Sequence, residues 1–164
     1  MLNPGDYTMS MNKVVTLKQL KEWREIVDNV VVTNGCFDII HVGHIGLIEY
    51  AKSQGDYLVI GVNSDKSVKK LKGKGRPINC LEDRCAILSH LQLVTVVYLF
   101  NEVNAARFLD IVKPNVYVKG GDYSLETLNK EELKVLKKHK TKIMFAPLVS
   151  GKSTTQIING LGKT

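Results

Sequence analysis

The stretch 30-VVVTNGCFDIIHVGH-44 decides the expected fold, because in it an apolar β-branched run is followed by the start of a helix. Residues 30–33 have the short, continuous apolar pattern of a buried strand. Asn34 and Gly35 form a turn signal that is expected to end this strand. From residue 42 to residue 53, apolar side chains recur at helical spacing. The stretch therefore predicts a strand, a turn and a helix in immediate succession.

Strands and helices alternate along the rest of the chain as well. Strands are predicted over residues 30–33, 57–62, 95–100, 115–119 and 142–146. Helices are predicted over residues 16–28, 42–53, 82–91, 104–112, 130–138 and 153–159. This alternation is typical of a parallel sheet covered on both faces. We therefore expect an α/β protein with a Rossmann-like, doubly wound, five-stranded parallel sheet in a three-layer α/β/α sandwich.

A single domain is expected for the whole chain, residues 1–164, because this length suits one domain and no repeat or linker interrupts the pattern. Thr16 is the candidate N-cap of the first helix, and residues 1–12 before it form a loose polar lead-in. Residues 66–76 contain six basic side chains and two glycines, a composition that predicts a mobile surface loop.

The composition argues against several classes of protein. Hydrophobic residues make up 44% of the chain, yet no apolar run approaches the roughly 20 residues of a membrane span, so no membrane partner is expected. The N-terminus lacks the apolar core of a signal peptide, which favours a cytoplasmic location. Cys36, Cys80 and Cys85 form no C-x-x-C pair, so we expect reduced thiols and predict no metal ligands.

The net charge of +7 suits an anionic partner, which could be a nucleic acid, a membrane or a small anionic substrate. Basic side chains cluster in residues 66–76 and 134–142, and neither cluster contains an aromatic residue. Because aromatic side chains stack on the bases of single-stranded nucleic acids, this composition weakens the nucleic-acid interpretation. We expect a small anionic substrate and no nucleic acid, with residues 130–142 as solvated surface.

The segment after the first strand carries the expected site, since ligands of doubly wound sheets bind at the carboxyl ends of the strands. His41 and His44 lie three residues apart, so they share one face of the first helical turn. Gly43 lets a phosphate approach the backbone closely, and the start of the helix itself favours an anion. Two imidazole donors there can stabilise the charge that develops during phosphoryl-type transfer. Locally bonded histidines, or a metal held together with Asp38, are the alternatives.

The pattern T-N-G-C-F-D-x-x-H-x-G-H over residues 33–44 resembles the signature of the cytidylyltransferase-like nucleotidyltransferase superfamily, in its H-x-G-H form. Further segments resemble one branch, the adenylyltransferase domain of the bifunctional ADP-heptose synthases, over about residues 12–160. These segments are residues 62–65, 71–73, 76–77, 81–84, 118–123 and 153–158. The resemblance implies the α/β sandwich predicted above. It also implies a reaction in which ATP and heptose 1-phosphate give a nucleotide-activated heptose and pyrophosphate, with Mg²⁺.

The resemblance further implies a role for each matching residue. His41 and His44 would contact the phosphates of ATP, and Lys72 would close over them, with the other lysines of residues 69–74 as rivals for that role. Asp38 would bind the sugar-phosphate acceptor. The residues implied to bind the nucleotide are Asn34, Gly35, Cys36, Phe37, Gly43, Arg84, Lys119, Gly120, Gly121, Asp122, Ser153 and Thr154.

Three of these residues also have structural interpretations, and two features depart from the branch. Arg84 could form a helix-surface ion pair with a neighbouring acidic residue. Ser153 and Thr154 are at least an N-cap of the last helix, a role that is compatible with binding a phosphate. A sugar-kinase domain usually precedes this domain in the branch and is absent here, so we expect a separate kinase to supply the 1-phosphate. The resemblance implies a homodimer, although Thr95 stands where relatives often carry an acidic residue at the dimer contact.

Two other functions remain open from the sequence. One is a relative with another base or acceptor, such as a glycerol-phosphate or choline-phosphate cytidylyltransferase, a flavin-type adenylyltransferase, or an enzyme that uses CTP or GTP. The other is a non-catalytic nucleotide or RNA binder, which would bind in a salt-sensitive way. Such a binder would not need His41 and His44, so the intact pair favours an enzyme.

Overall fold

The structure is a computed structural model that describes residues 13–149, 151 and 153–161. The strands are β1 (Val30–Gly35), β2 (Tyr57–Asn63), β3 (Val96–Phe100), β4 (Val116–Gly120) and β5 (Lys142–Ala146). The helices are α1 (Leu17–Glu25), α2 (Val42–Lys52), α3 (Asp65–Lys72), α4 (Leu81–His90), α5 (Ala106–Val112), α6 (Lys130–Lys138) and α7 (Thr154–Leu161). The expected lead-in, residues 1–12, lies outside the described residues.

The five strands form one parallel sheet in the order β3-β2-β1-β4-β5. The chain runs outward from β1 through β2 to β3 and then returns to the other side of β1, so the order reverses between β1 and β4. Ile48 of α2 and Leu88 of α4 pack in one buried cluster, whereas Leu20 of α1, Phe108 of α5 and Leu136 of α6 pack in another. The predicted Rossmann-like sheet with helices in two outer layers is confirmed.

The end of β1 differs from the sequence prediction, because the strand continues through Asn34 and Gly35 instead of turning there. These two residues pair with Gly61 and Val62 of β2, and this ladder overrides the local turn preference. The chain turns at Phe37, whose φ of 48° lies in the left-handed region. A Cβ at Gly35 would lie 3.3 Å from the Phe37 ring, so the glycine makes room for that ring.

The prediction of a mobile loop over residues 66–76 is wrong for most of that segment, because Asp65–Lys72 forms α3. Ser64 caps this helix by accepting a hydrogen bond from the Ser67 amide at 3.3 Å, and Val68 is fully buried. The lysines occupy the exposed side of an amphipathic helix. Because the lysines dominate the composition of this segment, the sequence analysis did not detect the capping Ser64 or the buried Val68.

Other boundaries agree with the predictions to within a few residues. Thr16 caps α1 with a full capping box, although α1 ends three residues before the expected Asp28. Thr95 lies just before β3, and its hydroxyl accepts a hydrogen bond from the Leu58 amide at 3.1 Å. Within the described residues, every helix is too short or too polar to cross a lipid bilayer.

Candidate active site

A cavity of about 840 Å³ opens at the carboxyl end of the sheet, where the strand order reverses between β1 and β4. This is the position expected for a ligand of a doubly wound sheet. The predicted residues that line it are Asn34, Gly35, Cys36, Phe37, Asp38, His41, Gly43, His44, Lys72, Lys119, Gly120, Gly121, Asp122, Ser153 and Thr154. Arg84 is the one predicted site residue that does not reach the lining.

His41 and His44 are both fixed through Nδ1 at the start of α2. The Gly43 amide donates to His41 Nδ1 at 3.1 Å, and the His41 amide donates to His44 Nδ1 at 3.4 Å. The ring centroids lie 3.9 Å apart, and the His44 ring also lies against Phe37. Because each Nδ1 accepts a hydrogen bond, the proton of each neutral ring resides on Nε2. The local bonding therefore leaves two Nε2–H donors for a ligand in the cavity.

Both imidazoles are neutral at physiological pH. Burial lowers the pKa of His44 to about 4, and the neighbouring His41 adds to the shift. Burial also lowers the pKa of His41. The pair can donate hydrogen bonds to a phosphate without carrying charge in the unliganded protein. Among the described residues, no three His, Cys, Asp or Glu side chains lie together as a group that could hold a metal ion.

Asp38 has contacts that differ from its expected role as the acceptor-binding residue. Its Oδ2 accepts a hydrogen bond from Arg76 Nε at 2.5 Å, and its Oδ1 accepts from the amides of Ile78 and Asn79 at 2.8 and 2.9 Å. Burial opposes its ionisation, but these hydrogen bonds outweigh burial and hold the pKa of Asp38 below its usual range. Because its carboxylate is occupied, we assign Asp38 an anchoring role for residues 76–79.

Arg84 lies beneath the site rather than in its wall, which corrects both interpretations offered from the sequence. Its side chain is fully buried. It donates to the carbonyls of Cys36 at 2.5 Å and Asn79 at 3.2 Å, and it pairs with Asp65 at 2.7 Å. Arg84 therefore links the loop after β1, the segment before α4 and the start of α3, instead of contacting a triphosphate or pairing within its own helix.

Two cations reach the cavity from α3 and the segment that follows it. Lys72 lies at the end of α3 and lines the cavity, whereas Lys69, Lys70 and Lys74 do not. The structure thus favours Lys72 among the rival lysines. Arg76 lines the cavity as well, held there by Asp38. Sequence reasoning gave Arg76 no role, and only its place in the matching segment 76–77 could have indicated one.

The start of α7 forms another part of the cavity wall. Ser153 Oγ accepts a hydrogen bond from the Gln156 amide at 3.2 Å, so Ser153 caps this helix, as expected from the sequence. Thr154 Oγ1 donates to the Ile39 carbonyl at 3.4 Å, which brings the start of α7 close to the start of α2. Two helix N-termini therefore border the same cavity, and each favours an anion.

On the β4 and α6 side of the cavity, sequence reasoning missed Glu132, which lines the cavity, and Tyr117, which contacts Glu132 from beneath the surface. Glu132 is buried and accepts a hydrogen bond from the Ala105 amide at 2.7 Å. The Tyr117 hydroxyl lies 3.1 Å from Glu132 Oε2 and 2.6 Å from Asn34 Oδ1. The available signal was helical spacing, since Glu132 lies four residues before the buried Leu136 on the same face of α6.

The chain is similar in sequence to proteins of one known family. The sequence model of the cytidylyltransferase-like family matches residues 32–160. The bifunctional protein HldE of Koribacter versatilis is 42% identical over 151 residues, and that of Aliarcobacter butzleri is 40% identical over 163 residues. These matches cover 89% and 93% of this chain but 30% and 33% of the relatives. The chain thus spans about a third of the length of these relatives.

Solved structures share the same fold. A lipopolysaccharide core biosynthesis protein from Thermoplasma volcanium aligns with a TM-score of 0.63 and 32% identity, over 74% of this chain and 98% of that protein. A pantoate-beta-alanine ligase from Francisella tularensis aligns with a TM-score of 0.57 and 18% identity, over 87% of this chain and 68% of that protein. At that identity, the ligase indicates a common fold alone.

Proposed function

This chain belongs to the cytidylyltransferase-like family and is a nucleotidyltransferase, and we propose that it transfers the adenylyl group of ATP to heptose 1-phosphate. The observation that carries the proposal is the pair of neutral imidazoles at the start of α2, each with Nδ1 bonded to the backbone. The identity of about 40% to bifunctional HldE proteins, the class of the ADP-heptose synthases, supports the choice of substrates. The likeness to a lipopolysaccharide core biosynthesis protein supports it further.

The proposed reaction needs no covalent intermediate and no general base. An oxygen of the sugar 1-phosphate attacks the α-phosphorus of ATP, and the bond from this phosphorus to the α,β-bridging oxygen breaks. Pyrophosphate leaves with that electron pair, and the sugar nucleotide remains. Because the attacking oxygen is already anionic at neutral pH, nothing has to remove a proton from it. Neutral histidines with lowered pKa values suit this reaction as donors rather than as bases.

The residues around the cavity have distinct proposed tasks. His41 and His44 donate through Nε2 to the oxygens of the α-phosphate, where charge accumulates in the transition state. The start of α7 and the side chains of Lys72 and Arg76 bind the pyrophosphate portion. Gly43 and the loop after β1 permit close approach of the phosphates to the backbone. Positioning of the two substrates and stabilisation of the charge that develops on the α-phosphate account for catalysis of this type.

Magnesium is proposed to enter with ATP as part of the substrate. Mg²⁺ keeps several waters and takes most of its protein-site ligands from substrate phosphates and one or two carboxylates. The described residues fit this mode, since they provide no preformed cluster of three acidic, His or Cys side chains. Asp122 is one of the carboxylates that line the cavity, and it is the one proposed to assist. A homodimer in the cytoplasm remains part of the proposal.

The test is pyrophosphate release measured with ATP, CTP, GTP and UTP against heptose 1-phosphate, glucose 1-phosphate, glycerol 3-phosphate and phosphocholine. We expect release with ATP and heptose 1-phosphate to exceed every other combination. The family name makes CTP the strongest competing nucleotide. Preferential use of CTP with glycerol 3-phosphate or phosphocholine would replace the proposed substrates. No release with any pair would contradict the proposed reaction.

A further inference from the structure

The cavity has two walls of different chemistry. One wall carries the two histidines, the starts of α2 and α7, and the cations Lys72 and Arg76. A second wall, on the β4 and α6 side, carries Asn34, Lys119 and the buried carboxylate of Glu132. The first wall is positively charged and stabilises a triphosphate, whereas on the second wall the charges of Lys119 and Glu132 offset each other. The second wall therefore suits a different part of the reacting pair.

Lys119 supplies a nearly buried donor that faces the cavity. Its side chain is 9% exposed, and its Nζ lies 5.6 Å from the centre of the Tyr117 ring and 5.0 Å from that of the Tyr123 ring. Among the described residues, no oxygen accepts a hydrogen bond from Nζ, so the tyrosine faces are its contacts there. Burial lowers its pKa. The N–H groups of Nζ are therefore available to donate to a ligand in the cavity.

Glu132 and Asn34 supply acceptors on either side of one tyrosine hydroxyl. The single proton of the Tyr117 hydroxyl can point to Asn34 Oδ1 at 2.6 Å or to Glu132 Oε2 at 3.1 Å, but not fully to both. Glu132 Oε1 already accepts from the Ala105 amide. Each of these oxygens has a further lone pair that can accept from a ligand. A hydroxyl of a ligand in the cavity would donate to Glu132 or Asn34 in this way.

We propose that Asn34, Lys119 and Glu132 form the subsite for the sugar ring of the acceptor, in which hydroxyl groups donate to Glu132 and Asn34 and accept from Lys119. Hydroxyls are both donors and acceptors, so a polyhydroxylated ring satisfies this mixed wall as a purely anionic ligand cannot. The inference rests on the proposed function. It moves Asn34 and Lys119 from the nucleotide side of the site, where the family resemblance had placed them, to the acceptor side.

Two substitutions test the subsite, Glu132→Gln and Lys119→Met. For each variant we would measure KM for heptose 1-phosphate and, by calorimetry, Kd for the non-reacting analogue α,β-methylene ATP. We expect KM for the acceptor to rise at least about tenfold, the scale of one lost charged hydrogen bond, while Kd changes less than about twofold. Glu25→Gln and Lys134→Met are matched controls on exposed helix positions away from the cavity, and neither constant should change.

The outcomes separate the two proposals. A wild-type protein without turnover on sugar 1-phosphates contradicts the proposed function itself. Turnover in the wild type combined with an unchanged acceptor KM in both variants contradicts the subsite alone. A tenfold weaker Kd for the nucleotide analogue with an unchanged acceptor KM assigns the wall to the base of the nucleotide and also overturns the subsite.

A measurement on the wild-type protein covers the case in which a variant fails to fold. Lysine side chains are modified by reductive methylation, and the extent at each position is read by mass spectrometry. We expect a sugar 1-phosphate to protect Lys119, with the exposed Lys134 as the unprotected reference. Protection of Lys119 by α,β-methylene ATP but not by the sugar 1-phosphate would contradict the subsite.

Discussion

His41 and His44 differ from free histidines in two ways that matter for catalysis. Their Nδ1 atoms are bonded to backbone amides, and their pKa values are lowered by burial. Both effects favour the neutral ring with its proton on Nε2. The backbone amides at the start of α2 thus select the tautomer, because the hydrogen bond at one ring nitrogen decides which nitrogen carries the proton.

Removal of one imidazole donor tests this assignment. We expect His41→Ala or His44→Ala to lower turnover by at least roughly 100-fold, the effect of losing one donor to a developing oxyanion. His90→Ala is the matched control, since His90 is exposed on α4 and does not line the cavity, and its turnover should stay within about twofold. Pyrophosphate release under saturating substrates is the measurement. Turnover near that of the wild type in both alanine variants would exclude the proposed role.

The lowered pKa of His44 also predicts a pH dependence of stability. Between pH 6.5 and about 4, the unfolded chain binds a proton at His44 that the folded chain does not. The free energy of unfolding therefore falls as the pH decreases through this window. The full shift corresponds to roughly 3 kcal/mol, and partial solvent exposure of the ring reduces the expected change to about 2 kcal/mol.

Urea denaturation of the unliganded protein at pH 7 and pH 5 measures this effect. His44→Gln removes the titrating ring, so the variant should lose less stability than the wild type between the two pH values. Equal losses in the two proteins would show that His44 keeps an ordinary pKa in the folded state.

Among the secondary-structure elements, α3 and α4 are coupled to the site through Arg84. The guanidinium contacts the Cys36 carbonyl, the Asn79 carbonyl and the Asp65 carboxylate from a fully buried position. We expect Arg84→Met to lower the free energy of unfolding by about 2–4 kcal/mol, because the buried carbonyls lose their donor. Urea denaturation measures the change. Arg107→Met, at an exposed ion pair, is the control and should change stability by less than about 0.5 kcal/mol.

The junction after β4 contains two neighbouring glycines, and their substitution by alanine should have different effects on stability. A Cβ at Gly121 would lie 2.5 Å from the Ala146 carbonyl oxygen of β5, whereas a Cβ at Gly120 would meet only the carboxylate of Asp122. The carboxylate can rotate away, but the backbone carbonyl of a paired strand cannot. We expect Gly121→Ala to destabilise the protein by about 1–3 kcal/mol and Gly120→Ala by less than about 1 kcal/mol, as read from thermal unfolding. The reverse order would contradict the close packing of this turn against β5.

Elements with strong periodicity were predictable from the sequence, and elements with conflicting signals were not. Lys130–Lys138 and Lys142–Ala146 were predicted at their observed bounds, since hydrophobic spacing and length agreed. The helix Asp65–Lys72 was missed because composition outweighed its cap and one buried valine. Asn34 and Gly35 were taken for a turn because pairing with β2 is a non-local effect that local propensity does not include.

At the scale of the whole molecule, the predicted topology indicated the end of the sheet where the cavity opens, but it did not indicate the contacts of the individual residues. The carboxyl end of the sheet and the paired histidines followed from chain order and motif spacing. The buried position of Arg84, the occupied carboxylate of Asp38 and the inward face of Glu132 depend on contacts between segments far apart in sequence. A single sequence shows residue types and their spacing. The roles of these residues depend on their hydrogen-bond partners, which only the folded structure shows.

The central claim is that the α-phosphate of the nucleotide binds at the start of α2, between the Nε2 atoms of His41 and His44. A crystal structure with α,β-methylene ATP and Mg²⁺ measures this directly through the distances from both Nε2 atoms to the α-phosphate oxygens. We predict distances of about 2.7–3.2 Å, the range of a good N–H···O hydrogen bond. A triphosphate bound outside this cavity, or rings turned so that Nε2 faces the protein interior, would contradict the account.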